Sequence, residues 1–228
     1  MLKKFILGLC TLMTIGTQAI QAEVKGKLDV GPAFIHLDIL ESGRTVKRMD
    51  MMGVRGDFSY YLYQGLYIKP TVLYGNGGSA KGGVFTGSLA VGYCFPICEH
   101  LLISPAVGGN YNHIWTKIDV PHFQLKNLRE NFKSWAPFLS CDFHYTFIPS
   151  WRICIGVQYA WSHTKTSIQH LVKNDKSKSE GFTYSALLEH DMNDQWSWNV
   201  AAAYNLSLTK EKHGIRGTGV KVGVVRWF

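Results

Sequence analysis

The chain reads as an all-β fold: an up-and-down antiparallel barrel of about ten strands, or about eight in the alternative count, closed across a bilayer. Three observations predict it. Apolar and polar residues alternate through most of the chain, the period of a strand with one apolar and one polar face. The connections between these segments run long, short, long, short. Aromatic residues collect near both ends of the apolar faces, as side chains do at the two interfaces of a membrane.

Residues 1–22 have the pattern of a secretory signal. Lys3 and Lys4 are its charged start, Phe5 to about Ile15 its apolar run, and Ala19 or Ala22 its small end residue. The run is shorter than the roughly 20 residues of a spanning helix. Residues 23–228 are then the barrel domain, with 46% hydrophobic residues over the whole chain. That domain holds Cys94, Cys98, Cys141 and Cys154. An oxidising compartment would permit disulfides, and Cys94 with Cys98, flanking a short turn, is the expected pair. No second closely spaced cysteine pair accompanies it, so no metal site and no cofactor is expected.

The first strand covers about 25–40. Leu28, Val30, Pro32 and Phe34 alternate with Lys27, Asp29, Gly31 and Ala33. Ile35, Leu37 and Ile39 are then apolar on the other phase, which predicts a bulge. After a basic connection at 41–49, Met52, Val54, Phe58, Tyr60 and Leu62 form the second apolar face, opposite Arg55, Asp57 and Ser59. A tight turn leads to the third, Leu66, Ile68, Val72 and Tyr74, opposite Tyr67, Lys69 and Thr71. Residues 75–83 are rich in glycine. No Gly-Lys-Ser/Thr follows and no helix opens there, so they read as a hairpin loop, not a phosphate cradle.

Phe85, Leu89, Val91, Tyr93 and Phe95 make the fourth face, and Leu101, Ile103, Val107 and Tyr111 the fifth. A long polar connection at 113–133 precedes Trp135, Leu139, Cys141, Phe143, Tyr145 and Phe147. The turn at Pro149 and Ser150 is short, and Trp151, Ile153, Ile155, Val157, Tyr159 and Trp161 follow. Beyond a lysine-rich connection at 164–180 come Phe182, Tyr184, Ala186 and Leu188. A turn at Asn193 and Asp194 precedes Trp196, Trp198, Val200, Tyr204, Leu206 and Leu208. A basic connection at 209–217 leads into the final strand.

That strand places Val220, Val222, Val224 and Phe228 on one face and Lys221, Gly223 and Val225 on the other. It resembles the C-terminal sorting strand of Gram-negative outer-membrane β-barrel proteins. In that family a terminal Phe behind alternating apolar residues is read by the barrel-assembly machinery. Arg226 stands where that pattern usually has an apolar or aromatic residue. The resemblance implies a bacterial outer-membrane location, both termini periplasmic, long connections outside and short turns inside.

The register sends Asp29, Arg55, Asp57, Lys69, Asp142, His144, Arg152, Glu189 and Lys221 into the lumen. A ring of about ten strands is narrow, and Tyr61, Tyr67, Phe138 and Arg152 would fill much of it. The expected interior is sealed or very narrow. Asp142-x-His144 is similar to the Asp-x-His pair of the omptins, ten-stranded outer-membrane proteases. Their second acidic pair has no Asp-x-Asp counterpart here, so the two residues read as a lumen hydrogen bond or ion pair and not as catalytic groups. Glu189, His190 and Asp191 cluster beside a turn, with His190 facing away. No Gly-x-Ser-x-Gly occurs.

All five long connections carry more basic than acidic residues. Removing Lys3 and Lys4 leaves the formal charge of +8 at +6. Lys173, Lys176, Lys178, Lys210, Lys212 and Arg216 are the candidate anion-binding residues of this rim. The expected partners are outer-membrane lipid and lipopolysaccharide, the assembly machinery and anionic host glycans, with no nucleic acid. The function expected first is a structural or adhesin-like surface barrel. A narrow porin-like channel comes second, and an omptin-like or lipid-modifying enzyme third.

Overall fold

The computed structural model describes residues 25–62, 65–77, 82–120, 125–169 and 172–228. The predicted signal, residues 1–22, lies outside them. The elements in chain order are β1 (Gly26–Glu41), β2 (Arg44–Tyr61), β3 (Leu66–Gly77), β4 (Gly82–Tyr93), β5 (Phe95–Cys98), β6 (Leu101–Val120), β7 (Leu125–Ile148), β8 (Trp151–Ile168), β9 (Val172–Asp191), β10 (Trp196–Leu208) and β11 (Gly214–Trp227). Neighbours pair antiparallel. β4 and β5 are separated only by Cys94 and both pair with β6, so together they form one wall strand. The wall therefore has ten strands, and the pairing of β1 with β11 closes it. The alternative count of about eight is set aside.

Alternation sorts the side chains. On β1, Leu28, Val30 and Phe34 are exposed on the outer face, while Asp29, Ala33, Ile35 and Leu37 are buried inside. The same division continues around the ring, with Val54, Val72, Leu89, Val107, Leu139, Ile155, Val200 and Val222 exposed outward. An outer surface this apolar is stable against hydrocarbon and not against water. Two aromatic belts bracket it. Phe34, Tyr74, Tyr111, Trp135, Trp161, Phe182 and Tyr184 lie toward one end, and Tyr60, Tyr145, Phe147, Trp196 and Phe228 toward the end with the chain terminus. Tyr67, expected in the lumen, is buried inside at 5% exposure.

The predicted bulge near Ile35 is replaced by regular alternation. The odd residues of β1 keep facing inward, and the register shifts only between Ile39 and Leu40. The interior itself becomes apolar there. Ile35, Leu37, Met49, Met51, Val84 and Ile114 form a buried cluster away from the terminal end. A second cluster, Tyr67, Ala90, Cys94, Ala106 and Phe138, fills another part of the lumen.

The long connections also differ from expectation. Residues 41–49 contract to a turn at Ser42 and Gly43, both at positive φ (49° and 79°), the backbone of a tight two-residue hairpin. Most of 113–133 and of 164–180 is strand. β7 has 24 residues. A strand that long spans about 80 Å, or about 60 Å of height at a tilt near 40°, against an apolar band of about 25 Å. The surplus stands in water, where both faces can be polar. Hydrophobic alternation therefore fades although the pairing continues.

The seam between β1 and β11 depends on a glycine. A Cβ on Gly31 would lie 1.9 Å from the carbonyl oxygen of Val222 on the opposite strand. Gly31→Val should prevent closure and yield no heat-modifiable barrel on refolding. Gly56→Ala, where the nearest atom is 3.9 Å from the new Cβ, should refold normally. Equal migration of both variants in unheated gels would contradict this seam.

Candidate functional site

Charges forced inward by the alternation meet across the ring. Buried Lys221 on β11 places Nζ 2.6 Å from Asp29 Oδ2 on β1 and 3.3 Å from Asp57 Oδ2 on β2. Arg55 donates to Asp57 from Nε (2.9 Å) and Nη2 (2.8 Å), and Thr71 adds a hydroxyl at 2.9 Å. Asn199 donates to Asp29 at 2.8 Å. Lys69 Nζ stands 3.6 Å from Asp142 Oδ2. Nearer the terminal end, Glu189 is paired with Lys27 and, at 2.7 Å, with Arg152, which also holds Asp191 at 2.5 Å. Trp227 completes this group. Lys27 and Arg152 lie over its ring at 4.7 and 4.9 Å, and its Nε1 donates to Ser197 Oγ at 2.9 Å. Parity with Lys221, Gly223 and Val225 was the available signal for an inward Trp227.

All nine residues assigned to the lumen from sequence lie on the inner face. The structure draws eight of them, all but His144, into ion pairs between packed side chains. Asp142 and His144 are there too, and His144 Nε2 lies 4.0 Å from Cys154 Sγ. Outside the lumen groups, His190 stacks on Trp151 with ring centroids 4.4 Å apart. The expected Cys94–Cys98 disulfide is not formed, and Cys94, Cys98, Cys141 and Cys154 are all free thiols. Cys94 turns into the lumen, where Ser104 Oγ is 3.5 Å away, whereas Cys98 is exposed beyond it on β5.

Past the aromatic belt opposite the termini, the outer wall divides into two sectors. On β1, β2 and β11 the carboxylates Asp38 and Asp50 are paired. Asp38, 2% exposed, receives Arg216 Nε at 3.0 Å and Nη2 at 2.5 Å, with Arg48 at 3.3 Å; His36 meets Asp50 at 2.6 Å. Arg216, expected in a loop as an anion-binding residue, is instead a strand residue committed to Asp38. On β6 to β9 the cations stand together. His113, Lys133, Lys165 and Lys176 are successive cross-strand partners, and Trp135, His163 and Lys178 form the adjoining row. The four lysines are exposed, and none forms an ion pair with a described carboxylate. Glu180, the outward acid beside them, accepts a hydrogen bond from Tyr159. Lys176 and Lys178 are therefore wall residues rather than loop residues. Lys210 and Lys212 are exposed at the β10–β11 turn, and the side chain of Lys173 lies outside the described residues.

Comparison with known proteins bears on the fold. No family model and no curated protein sequence matches the chain. Among solved structures, the outer membrane protease OmpT from Escherichia coli aligns with a TM-score of 0.55 at 11% identity, over 93% of this chain and 100% of that one. The translocator domain of the autotransporter NalP from Neisseria meningitidis aligns at 0.51 and 10% identity, over 99% and 96%. Ail, the attachment invasion locus protein of Yersinia pestis, aligns at 0.46 and 11%, over 90% and 99%. At such identities the likeness speaks to fold alone. The chain has the fold of these outer-membrane proteins, a small, closed antiparallel β-barrel, here with ten wall strands.

Asp38 lies beyond the apolar band, so its ionisation is a surface property. Burial disfavours its charge, but the hydrogen bonds and charge of Arg216, with the charges of His36 and Arg48, outweigh that and hold the carboxyl below its ordinary range. A carboxyl depressed in the folded state stabilises above its unfolded pKa, about 3.9, and loses that contribution as pH falls through the lower folded value. Asp38→Asn should lower stability by about 1 kcal/mol or less above pH 5, with the deficit shrinking toward pH 2. Urea unfolding of the refolded barrel across that range checks it.

Proposed function

We propose that the chain is a surface barrel with a filled interior, its termini toward the periplasm, whose working surface is the basic wall above the outer aromatic belt. The wall holds phosphate groups of lipopolysaccharide in the surrounding leaflet. The row His113, Lys133, Lys165 and Lys176 carries this reading. Neighbouring strands are about 4.8 Å apart, so adjacent lysine charges repel by roughly 0.9 kcal/mol even in water. A dianionic phosphate between them converts that repulsion into attraction. Exposed Trp135 and Trp161 sit just below the row, and tryptophan marks the headgroup level. The row thus faces lipid headgroups sideways, a placement suited to the barrel's own membrane more than to a distant surface.

The porin-like reading has less support, because Met49, Met51, Glu189 and Val225 are all at most 1% exposed within the ring. A planar bilayer should show no large, stable conductance step. Binding tests the main reading. At about 1 kcal/mol per basic residue near an anionic surface, changing Lys133, Lys165 and Lys176 to Gln should weaken lipopolysaccharide binding by roughly 100-fold at low salt. The loss should narrow at high salt as screening removes the wild-type advantage. Equal binding by the two proteins, or salt-independent binding, would overturn the proposal. Loss of heparin binding alone, with lipopolysaccharide binding retained, would assign the wall to a soluble sulfated glycan instead.

A further inference from the structure

One group of lumen side chains is only partly used by the ion-pair networks. Asp142 and His144 lie on the inner face of β7, and Cys154 is the cross-strand partner of His144 on β8. One ligand atom from each of the three lies within 4.8 Å of the others, and His144 Nε2 is 4.0 Å from Cys154 Sγ. Strand pairing itself brings imidazole and thiol together, because directly opposed residues have Cβ atoms about 5 Å apart. The partner of Asp142 is Gly156, which has no side chain. A Cβ there would lie 2.4 Å from Asp142 Oδ1 and 2.5 Å from Ser185 Oγ. Asp142 Oδ1 and the Ser185 hydroxyl therefore lie against the bare backbone of Gly156, in the space a side chain there would take, while Oδ2 lies 3.6 Å from Lys69 Nζ.

We propose that Asp142, His144 and Cys154 bind a divalent transition-metal ion, with zinc as the probe, and that the fourth position is taken by water or the Ser185 hydroxyl. Nitrogen, thiolate and carboxylate donors are those zinc selects, at about 2.0 to 2.3 Å. Tetrahedral geometry at such bond lengths puts the donors about 3.3 to 3.8 Å apart. Side-chain adjustments of about 1 Å or less reach it. Magnesium and calcium prefer all-oxygen shells and are excluded by the same donor set. Zinc displaces the Cys154 thiol proton to solvent, so a thiolate and a carboxylate balance the two charges of the ion, and affinity rises with pH. The ion would clip β7 to β8 from inside the barrel. This site is independent of the basic wall, and neither reading depends on the other.

The test uses the full-length barrel refolded in detergent under reducing conditions. Cobalt(II) replaces zinc to report geometry. The expected result is one zinc per barrel by titration against a chromophoric chelator. The cobalt form should show the visible bands of a four-coordinate ion and a near-ultraviolet thiolate charge-transfer band. Cys154→Ser should abolish the charge-transfer band. His144→Ala and Asp142→Asn should each weaken zinc by tenfold or more. A variant keeping Cys154 but with Cys94, Cys98 and Cys141 changed to Ser should bind as the wild type does. Heat-modifiability shows which variants have folded. The wild-type and Cys154-only spectra decide the matter even if a ligand variant does not fold. A wild-type barrel without these bands, or bands that survive Cys154→Ser, would overturn the site.

Discussion

Closure of the first strand on the last is the constraint on which the structure depends. Inside hydrocarbon a backbone N–H or C=O without a partner costs several kcal/mol, so a membrane-spanning sheet must have no open edge. β1 and β11 meet that demand along nearly their full length, and the backbone amides of Lys25 and Gly26 both donate to the Phe228 carbonyl at 2.8 Å. The Phe228 ring also packs on Phe58, with centroids 5.9 Å apart. The terminal residue thus caps the seam and reaches the second strand. Once the ring is closed against lipid, polar side chains within the apolar band can only go inward.

That inward crowding shapes the lumen. Lys221, Asp29 and Asp57 come from β11, β1 and β2, so their ion pairs cross the seam and bind the strand beside it. Burying three charges is costly, and such groups add more to register than to net stability. A one-residue slip of β11 would turn Lys221 toward lipid and three valines toward the interior. Where no charges were available, Met49, Met51, Ile35 and Leu37 fill the ring instead. The same strands, extended beyond the bilayer, carry their charges on the outer wall, paired near the seam and unpaired on β6 to β9.

Much of this was legible in the sequence because membrane alternation is a strong signal. The ten-stranded wall, the outward valines of the last strand and two aromatic belts were read directly. Three features were obscured, each for a physical reason. Strands outside the bilayer are polar on both faces, so 113–133 and 164–180 looked like loops, and Arg216 looked like a free cation before register set it against Asp38. Ile35 and Leu37 looked like a phase slip because an inward face was assumed to be polar, whereas a narrow closed ring can have an apolar core. Cys154 sits ten residues from His144 in sequence and becomes its neighbour only through the β7–β8 register, which spacing does not reveal.

The central claim is that the last strand crosses a bilayer with its valines toward lipid and Lys221 inside. Nitroxide scanning from residue 218 to residue 226 in the reconstituted barrel tests it most directly, with one spin label per cysteine substitution in a background free of native cysteines. Collision with oxygen, which concentrates in hydrocarbon, should peak at positions 220, 222 and 224 and fall at 221, 223 and 225. A flat profile, or one dominated throughout by a water-soluble relaxant, would contradict the account.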